Sequence, residues 1–253
     1  MIEHIVVTGG ADSVGRVIAE RFHRAGAKVH ICDIRADALA ATLAANPGMR
    51  GTLANVGQAA DVERVFSEAR GWMEHVSVLV NNVGIGGPRA ALEEVGDDDW
   101  QQTMAVNLNG VFYCMKQAIP DMKTRRHGAI INFSTGSTRT RLPLRAPYVA
   151  SKAAVESLTL NAARELGPFQ IRCNAVLPGM INNERMRRIV QANAEASGRT
   201  AQAVEQDYLK YISMRSKIEP DEIADMVQFL ASDGARKVTG ELIAVSGNVE
   251  WEI

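Results

Sequence analysis

The chain has 253 residues, 46% of them hydrophobic, with 28 Lys and Arg against 29 Asp and Glu. That size and apolar share suffice for one large hydrophobic core, and the near-neutral balance argues against a nucleic-acid or anionic-membrane partner. Cys32, Cys114 and Cys173 show no CxxC spacing, so they are read as buried thiols of a reducing compartment rather than disulfide or zinc ligands.

Ile2–Thr8 reads as a strand, and Val14–Ala25 follows with apolar residues at helical spacing. Lys28–Asp33 is a second strand, Ala36–Ala45 a helix, Arg50–Val56 a third strand and Ala59–Met73 a third helix. Val76–Asn81 is almost continuously apolar, as expected of a strand covered on both faces. Asp97–Asp99 cap and complement the dipole of a long helical region ending near Arg126, with Gly128 as its expected carboxy-terminal cap. Ala129–Phe133 and Ile171–Leu177 are strands separated by a helix from about Tyr148 to Leu166, and Glu241–Val245 is the last strand. This alternation predicts an α/β fold, a doubly wound parallel sheet with helices on both faces.

Met180–Lys217 is polar, helical and interrupts the alternation where a strand ends, the place for a lid over a ligand crevice. The expectation is a single domain over residues 1–253 with a lid at 180–217. No uncharged apolar run approaches about eighteen residues, so a membrane span is not expected and a cytoplasmic location is. The histidines, His4, His23, His30, His75 and His127, lack ligand spacing; they read as surface or helix-end residues, with no metal site.

Two stretches carry chemistry. In VTGGADSVG, Gly9 and Gly15 bracket a loop between strand and helix, where backbone N–H groups and a helix N-terminus can meet a pyrophosphate. Asp33 ends the second strand, where a carboxylate accepts from ribose hydroxyls and repels a 2′-phosphate, favouring NAD over NADP; Arg35 is the counter-signal. In YVASK, Tyr148 and Lys152 are one helical turn apart on one face, so an ammonium can stabilise a phenolate that moves a proton at a carbonyl oxygen.

Together these stretches resemble the classical short-chain dehydrogenase/reductase family, and the resemblance runs nearly end to end. VTGGADSVG is similar to its TGxxxGxG loop, Asn81-Asn82-Val83-Gly84 to its NNAG, Asn107 in MAVNLNGVF to its helix asparagine, YVASKAAV to its YxASK and Pro178-Gly179 to its PG. The resemblance implies a Rossmann-like sheet of about seven strands and a homotetramer. It also implies cofactor contacts from Gly9, Asp12, Ser13, Val14, Gly15, Asp33, Ile34, Asn55, Val56, Asn82, Gly84, Tyr148, Lys152, Pro178, Gly179 and Ile181. Tyr148 is expected as acid/base, Lys152 as its partner on the nicotinamide ribose, and Asn107 as part of a proton relay.

The chain departs from that pattern at four places. Ser13 replaces the middle loop glycine, Asn55 the usual aspartate, and Asn183 the threonine after PG. Aligning Asn132–Ser137 and Tyr148 without gaps places Thr135 at the family's catalytic serine; its hydroxyl has the same donor and acceptor, with a methyl that restricts χ1. Ser134 and Ser137 are the neighbouring substitutes. The loop before Tyr148 carries Arg139, Arg141 and Arg145, and the lid adds Arg185, Arg187 and Arg188. Guanidinium forks suit acidic groups, so Thr135, Ser137, Arg141 and Arg145 are the expected substrate contacts. The reading is an oxidoreductase moving a hydride between NAD(H) and a secondary alcohol or ketone, on a polar or anionic small molecule. Its rivals are an NADP-linked 3-oxoacyl reductase and a non-catalytic nucleotide-binding relative.

Overall fold

The structure is a computed structural model that describes residues 3–249; Ile2, assigned to the first strand from sequence, lies outside them. Seven strands are found among the described residues: β1 (His4–Thr8), β2 (Lys28–Asp33), β3 (Arg50–Leu53), β4 (Val78–Asn81), β5 (Gly128–Phe133), β6 (Ile171–Pro178) and β7 (Leu242–Val245). They form one sheet in the order β3-β2-β1-β4-β5-β6-β7, and every pairing is parallel. The chain winds outward from β1 to β3, then returns to lay β4 on the other side of β1. The reversal opens a crevice beyond the carboxyl ends of β1 and β4, where such folds bind ligands.

Side-chain alternation sends successive strand residues into two separate cores. On one face Ile5, Val7, Val78, Val80 and Ile131 pack with Ile18 and Phe22 of α1 (Ser13–Arg24) and with Ile223 and Val227 of α10 (Pro220–Ala231). On the other, Val6, Leu79 and Ile130 meet Phe66 of α3 (Ala59–Met73), Met115 of α5 (Gly110–Arg125) and Val155 of α7 (Ala146–Leu166). The central strands are buried on both faces, which explains their unbroken apolar sequences. The remaining helix of this half, α2 (Ala36–Ala45), covers β2 and β3.

Four sequence expectations are corrected. The third strand stops at Leu53, because the Asn55 side chain turns the chain by accepting from Gly57 N. The helical region after Gly96 is not continuous: α4 (Asp97–Met104) passes through a π-helical segment, Ala105–Asn109, before α5. Arg126, not Gly128, closes α5 in a left-handed conformation at φ 51°, while Gly128 already belongs to β5. His4 and His30 are strand residues, 8% and 2% exposed, and not surface groups. His30 Nε2 faces Thr52 Oγ1 at 2.9 Å, and its Nδ1 accepts from Trp72 Nε1 at 3.2 Å. Burial holds that imidazole down to about 4, so it is neutral near pH 7.

The segment after β6 forms α8 (Glu184–Ser197) and α9 (Ala201–Lys210), joined through a small core of Met180, Val190, Ala194, Val204 and Ile212. The short α6 (Ser137–Thr140) lies between β5 and α7. All three cysteines are free and buried. Among the described residues no helix is long and apolar enough to cross a membrane.

Candidate active site

The loop between β1 and α1 closes on itself. Gly9 takes φ 62°, a left-handed conformation disfavoured by about 1–2 kcal/mol for a residue with a Cβ. A Cβ on Gly15 would stand 2.0 Å from Gly9 O and 2.5 Å from Asn82 Nδ2. Asn82 holds the closure, its Nδ2 donating to Thr8 O at 3.1 Å and Gly9 O at 3.2 Å. Asp12 caps α1 through Oδ1, accepting from Ser13 N at 2.8 Å. The amides of Val14 and Gly15 have no hydrogen-bond partner among the described residues, so the opening turn of α1 presents free donors. A cradle with glycines at its closest approaches and free amides at a helix N-terminus fits a dinucleotide pyrophosphate.

Ser13 itself sits at φ 49°, the conformation its glycine counterpart would adopt without strain. Its hydroxyl gains a partner in return: Asn183 Nδ2 donates to Ser13 Oγ at 3.0 Å. Asn183 Oδ1 meanwhile accepts from Met186 N at 2.9 Å, capping α8. Two of the four departures from the family pattern thus bond to each other.

Asp33 is 9% exposed at the end of β2. Its Oδ2 accepts from Ala11 N at 3.3 Å and its Oδ1 from Arg35 N at 3.1 Å. A carboxylate has about four acceptor sites, so two bonds fix its orientation and leave sites for hydroxyl groups. The Arg35 guanidinium turns back to Asp12, with Nη2 3.2 Å from Oδ2. Ile34 is 68% exposed beside it. Asn55 N donates to Asp61 Oδ2 at 2.8 Å, and its Oδ1 accepts from Gly57 N at 3.0 Å. Val56 is buried next to it. At the far side, a Cβ on Gly179 would meet Ser246 Cα at 2.8 Å, which forces a small residue after Pro178. Ile181 follows, bridged to Ile218.

Tyr148 lies in the first turn of α7 behind Pro147, and Lys152 one turn on. The Tyr148 hydroxyl has no hydrogen-bond partner among the described residues, and its ring lies 5.3 Å from Arg145 Cζ. Lys152 is 3% exposed; its Nζ donates to Phe133 O at 2.8 Å. Burial, and secondarily the Arg185 charge, hold the ammonium down to about 7. Gly84 makes room for it, since a Cβ there would come within 3.0 Å of Nζ and 3.6 Å of Asn107 Oδ1.

Asn107 belongs to the π-helical segment and is fully buried. Its amide pairs with the backbone of Ile85, Oδ1 accepting from Ile85 N at 2.8 Å and Nδ2 donating to Ile85 O at 2.9 Å. Nδ2 also donates to Ser151 Oγ at 3.0 Å, and Ser151 Oγ donates to Tyr148 O at 2.8 Å. One asparagine therefore ties the loop after β4 to the helix carrying Tyr148 and Lys152. A π-turn at such a position is a common way to aim a side chain at a functional site.

Of the three neighbouring hydroxyls, Ser134 is committed elsewhere, donating to Glu156 Oε1 at 2.6 Å with Lys152 O 3.3 Å away. Thr135 is 8% exposed, with Oγ1 3.3 Å from Ser137 Oγ and accepting from Ser137 N at 3.2 Å. Thr135 and Ser137 are brought together as a pair.

Arg145 is brought to Tyr148, but Arg141 is not shown in any contact there. It closes α6 at φ 52° with an exposed side chain. Arg185 of α8 does reach the loop after β4, its Nη1 donating to Gly84 O at 3.2 Å. Ser151, Glu156 and Arg89 were not singled out from sequence. Ser151 stood inside the YVASK stretch and its spacing from Tyr148 was the available signal; nothing local marks Arg89 or Glu156.

A family model described as enoyl-(acyl carrier protein) reductase matches residues 9–249. A probable galactose dehydrogenase of Rhizobium meliloti (strain 1021) is 33% identical over 253 residues, covering 97% of this chain and 94% of its own. A 3-oxoacyl-(acyl-carrier-protein) reductase of Staphylococcus epidermidis is 34% identical, covering 98% and 99%. Among solved structures, an NAD+-bound xylitol dehydrogenase superposes with a TM-score of 0.91 at 25% identity, covering 97% of this chain and 98% of its own. With the glycine cradle, the seven-stranded parallel sheet and the Tyr148–Lys152 turn in place, these matches make the chain an oxidoreductase of the short-chain dehydrogenase/reductase family.

Proposed function

We propose that the protein is an NAD-dependent dehydrogenase or ketone reductase that interconverts a secondary alcohol and a ketone on a polar or anionic small molecule. The observation that carries the reading is the buried, backbone-fixed Asp33 carboxylate at the end of β2. It keeps acceptor sites for two ribose hydroxyls and sets a fixed negative charge against a 2′-phosphate. The Arg35 guanidinium is paired with Asp12 instead. This counts against the NADP-linked 3-oxoacyl reductase reading.

The residues fit a nicotinamide dinucleotide. Gly9, Asp12, Ser13, Val14 and Gly15 would hold the pyrophosphate, Asp33 and Ile34 the adenosine ribose, and Asn55 and Val56 the adenine. Asn82 and Gly84 would back the cradle, and Pro178, Gly179 and Ile181 would flank the nicotinamide. When bound, that ring accepts or supplies the hydride. Tyr148 moves the proton at the substrate oxygen, with its hydroxyl unpartnered and available. Lys152, with two ammonium donors free after Phe133 O, steadies the phenolate and the nicotinamide ribose. Thr135 orients the carbonyl with Ser137 behind it, and Asn107 places Tyr148 and Lys152 through Ile85 and Ser151 while contributing to proton relay. The segment 180–217 acts as the lid. Exposed Phe112 on α5 and Leu160 on α7 leave apolar surface that a homotetramer would cover.

Tyr148→Phe tests the catalytic assignment: NADH binding is retained and turnover falls by at least about a hundredfold, the low end of general acid/base contributions. Turnover undiminished in this variant would overturn it. A non-catalytic relative would show no turnover in either form.

A further inference from the structure

Among the described residues, Arg145 beside Tyr148 and its neighbours Arg185 and Arg89 have no acidic partners. Arg145 Nη2 donates to Gly86 O at 2.8 Å, and Arg185 Nη1 to Gly84 O at 3.2 Å. Arg89 Nη1 donates to Asn193 Oδ1 at 2.9 Å. Among the described residues none of the three lies within ion-pair distance of a carboxylate, although most other arginine contacts on this chain are ion pairs or helix-surface bonds. Arg145 Nε is buried and unpartnered, an arrangement that ordinarily costs about 1–3 kcal/mol. Burial and the nearby charges of Arg185 and Arg89 all act to lower the affinity of the Arg145 guanidinium for its proton. Below it lies the buried Lys152, held down to about 7 by burial and then by the Arg185 charge.

Gly86 sets the spacing. A Cβ there would stand 2.7 Å from Arg145 Nη2 and 3.2 Å from Arg185 Nη2, so the two nitrogens are within about 6 Å of each other. One carboxylate, sulfonate or phosphate accepting from both can bridge that span. The site borders the Tyr148 ring, 5.3 Å from Arg145 Cζ. A hydroxyl or carbonyl placed on Tyr148 therefore leaves only a short spacer to the acidic group.

We propose that Arg145 and Arg185 form a receptor for the oxyanion group of a short hydroxy or oxo acid, with the lid supplying one of the two arms through Arg185. The proposal rests on the dehydrogenase reading for its substrate, but the receptor itself is testable without turnover. Bound acid would neutralise an otherwise uncompensated positive cluster and draw α8 toward the loop after β4. Neutral sugars and steroid-like alcohols lack the group that this pair recognises.

The test measures Tm against sodium sulfate, with sodium chloride at matched ionic strength, in protein saturated with NADH. Wild type is expected to show a saturable sulfate increment above the general salting effect, which is shared by all variants. Arg185→Met, changing an exposed side chain, and Gly86→Ala, displacing both guanidinium ends, are each expected to remove that increment while NADH affinity moves less than about threefold. In parallel, KM for the best hydroxy acid is expected to rise about tenfold or more in Arg145→Met, as for loss of a charged hydrogen bond, with the neutral amide of the same compound unaffected. A wild-type increment that vanishes once NADH is bound would assign the arginines to the dinucleotide and overturn the proposal. So would an increment unchanged in both variants, or amides turned over as well as acids. Failure to bind NADH at all would instead overturn the dehydrogenase reading and leave the sulfate result in the unliganded protein to decide the receptor.

Discussion

At the scale of single residues, the site is built from close approaches and buried charges, and each has a measurable consequence. A Cβ on Gly15 would stand 2.0 Å from Gly9 O, so Gly15→Ala must push the loop open; loss of NADH binding with the fold retained by circular dichroism is the expected result. Lys152 is held down to about 7 by burial, below its ordinary value near 10.5. The unfolded chain therefore binds this proton more tightly than the native one between those two values, and stability rises with pH across that window. Below about pH 7 the full cost is present, on the order of a few kcal/mol at 1.36 kcal/mol per unit. Lys152→Met is expected to raise Tm at pH 6, to lose that advantage as pH climbs toward 10, and to be inactive throughout. An unchanged Tm at pH 6 would show the lysine to be solvated. Tyr148, Lys152, Asn107 and the loop glycines were legible in the sequence because their chemistry depends on short spacings. Arg185 could be placed beside Arg145 only by the fold, because it lies on α8, distant in sequence. Arg141, expected beside Tyr148 from its nearness in sequence, ends a short helix with an exposed side chain, an orientation that spacing alone does not give.

Elements carry the next level of organisation. The alternation of apolar runs with helical patterns disclosed all seven strands in order; the central ones read most plainly, since a strand buried on both faces has no other economical sequence, whereas β3 and β7 are only partly buried. What the pattern could not disclose was the π-turn at Ala105–Asn109, within which Asn107 pairs with the backbone of the distant Ile85. The cap at Arg126 escaped notice because glycine is the usual left-handed residue and Gly128 stood two positions away. Helix α8 depends on Asn183 both as its N-cap and as its tie to Ser13. Asn183→Ala is expected to remove about 1 kcal/mol of capping and to speed amide exchange in residues 184–197 without changing exchange in the central strands. Equal acceleration in both would mean that α8 unfolds only with the whole molecule. The same variant unties α8 from the loop between β1 and α1, so NADH should dissociate faster.

For the whole molecule, one parallel sheet with a core on each face places every candidate group at the carboxyl edge. The cradle stands over β1, Asp33 over β2, Asn82 over β4, Thr135 over β5 and Pro178 over β6. That convergence of residues from separate strands explains why spacing alone gave the parts but not their distances. Phe66 fills the second core with no exposed surface; Phe66→Ala should cost about 3–5 kcal/mol, visible as a fall in the denaturant midpoint. The central claim is that this edge is a dinucleotide site whose selector is Asp33. It is tested most directly by titrating the purified protein with NADH and, separately, with NADPH, following cofactor fluorescence. The account predicts clearly tighter binding of NADH, with the preference weakened in Asp33→Ala; NADPH bound as tightly as NADH, or more so, would contradict it.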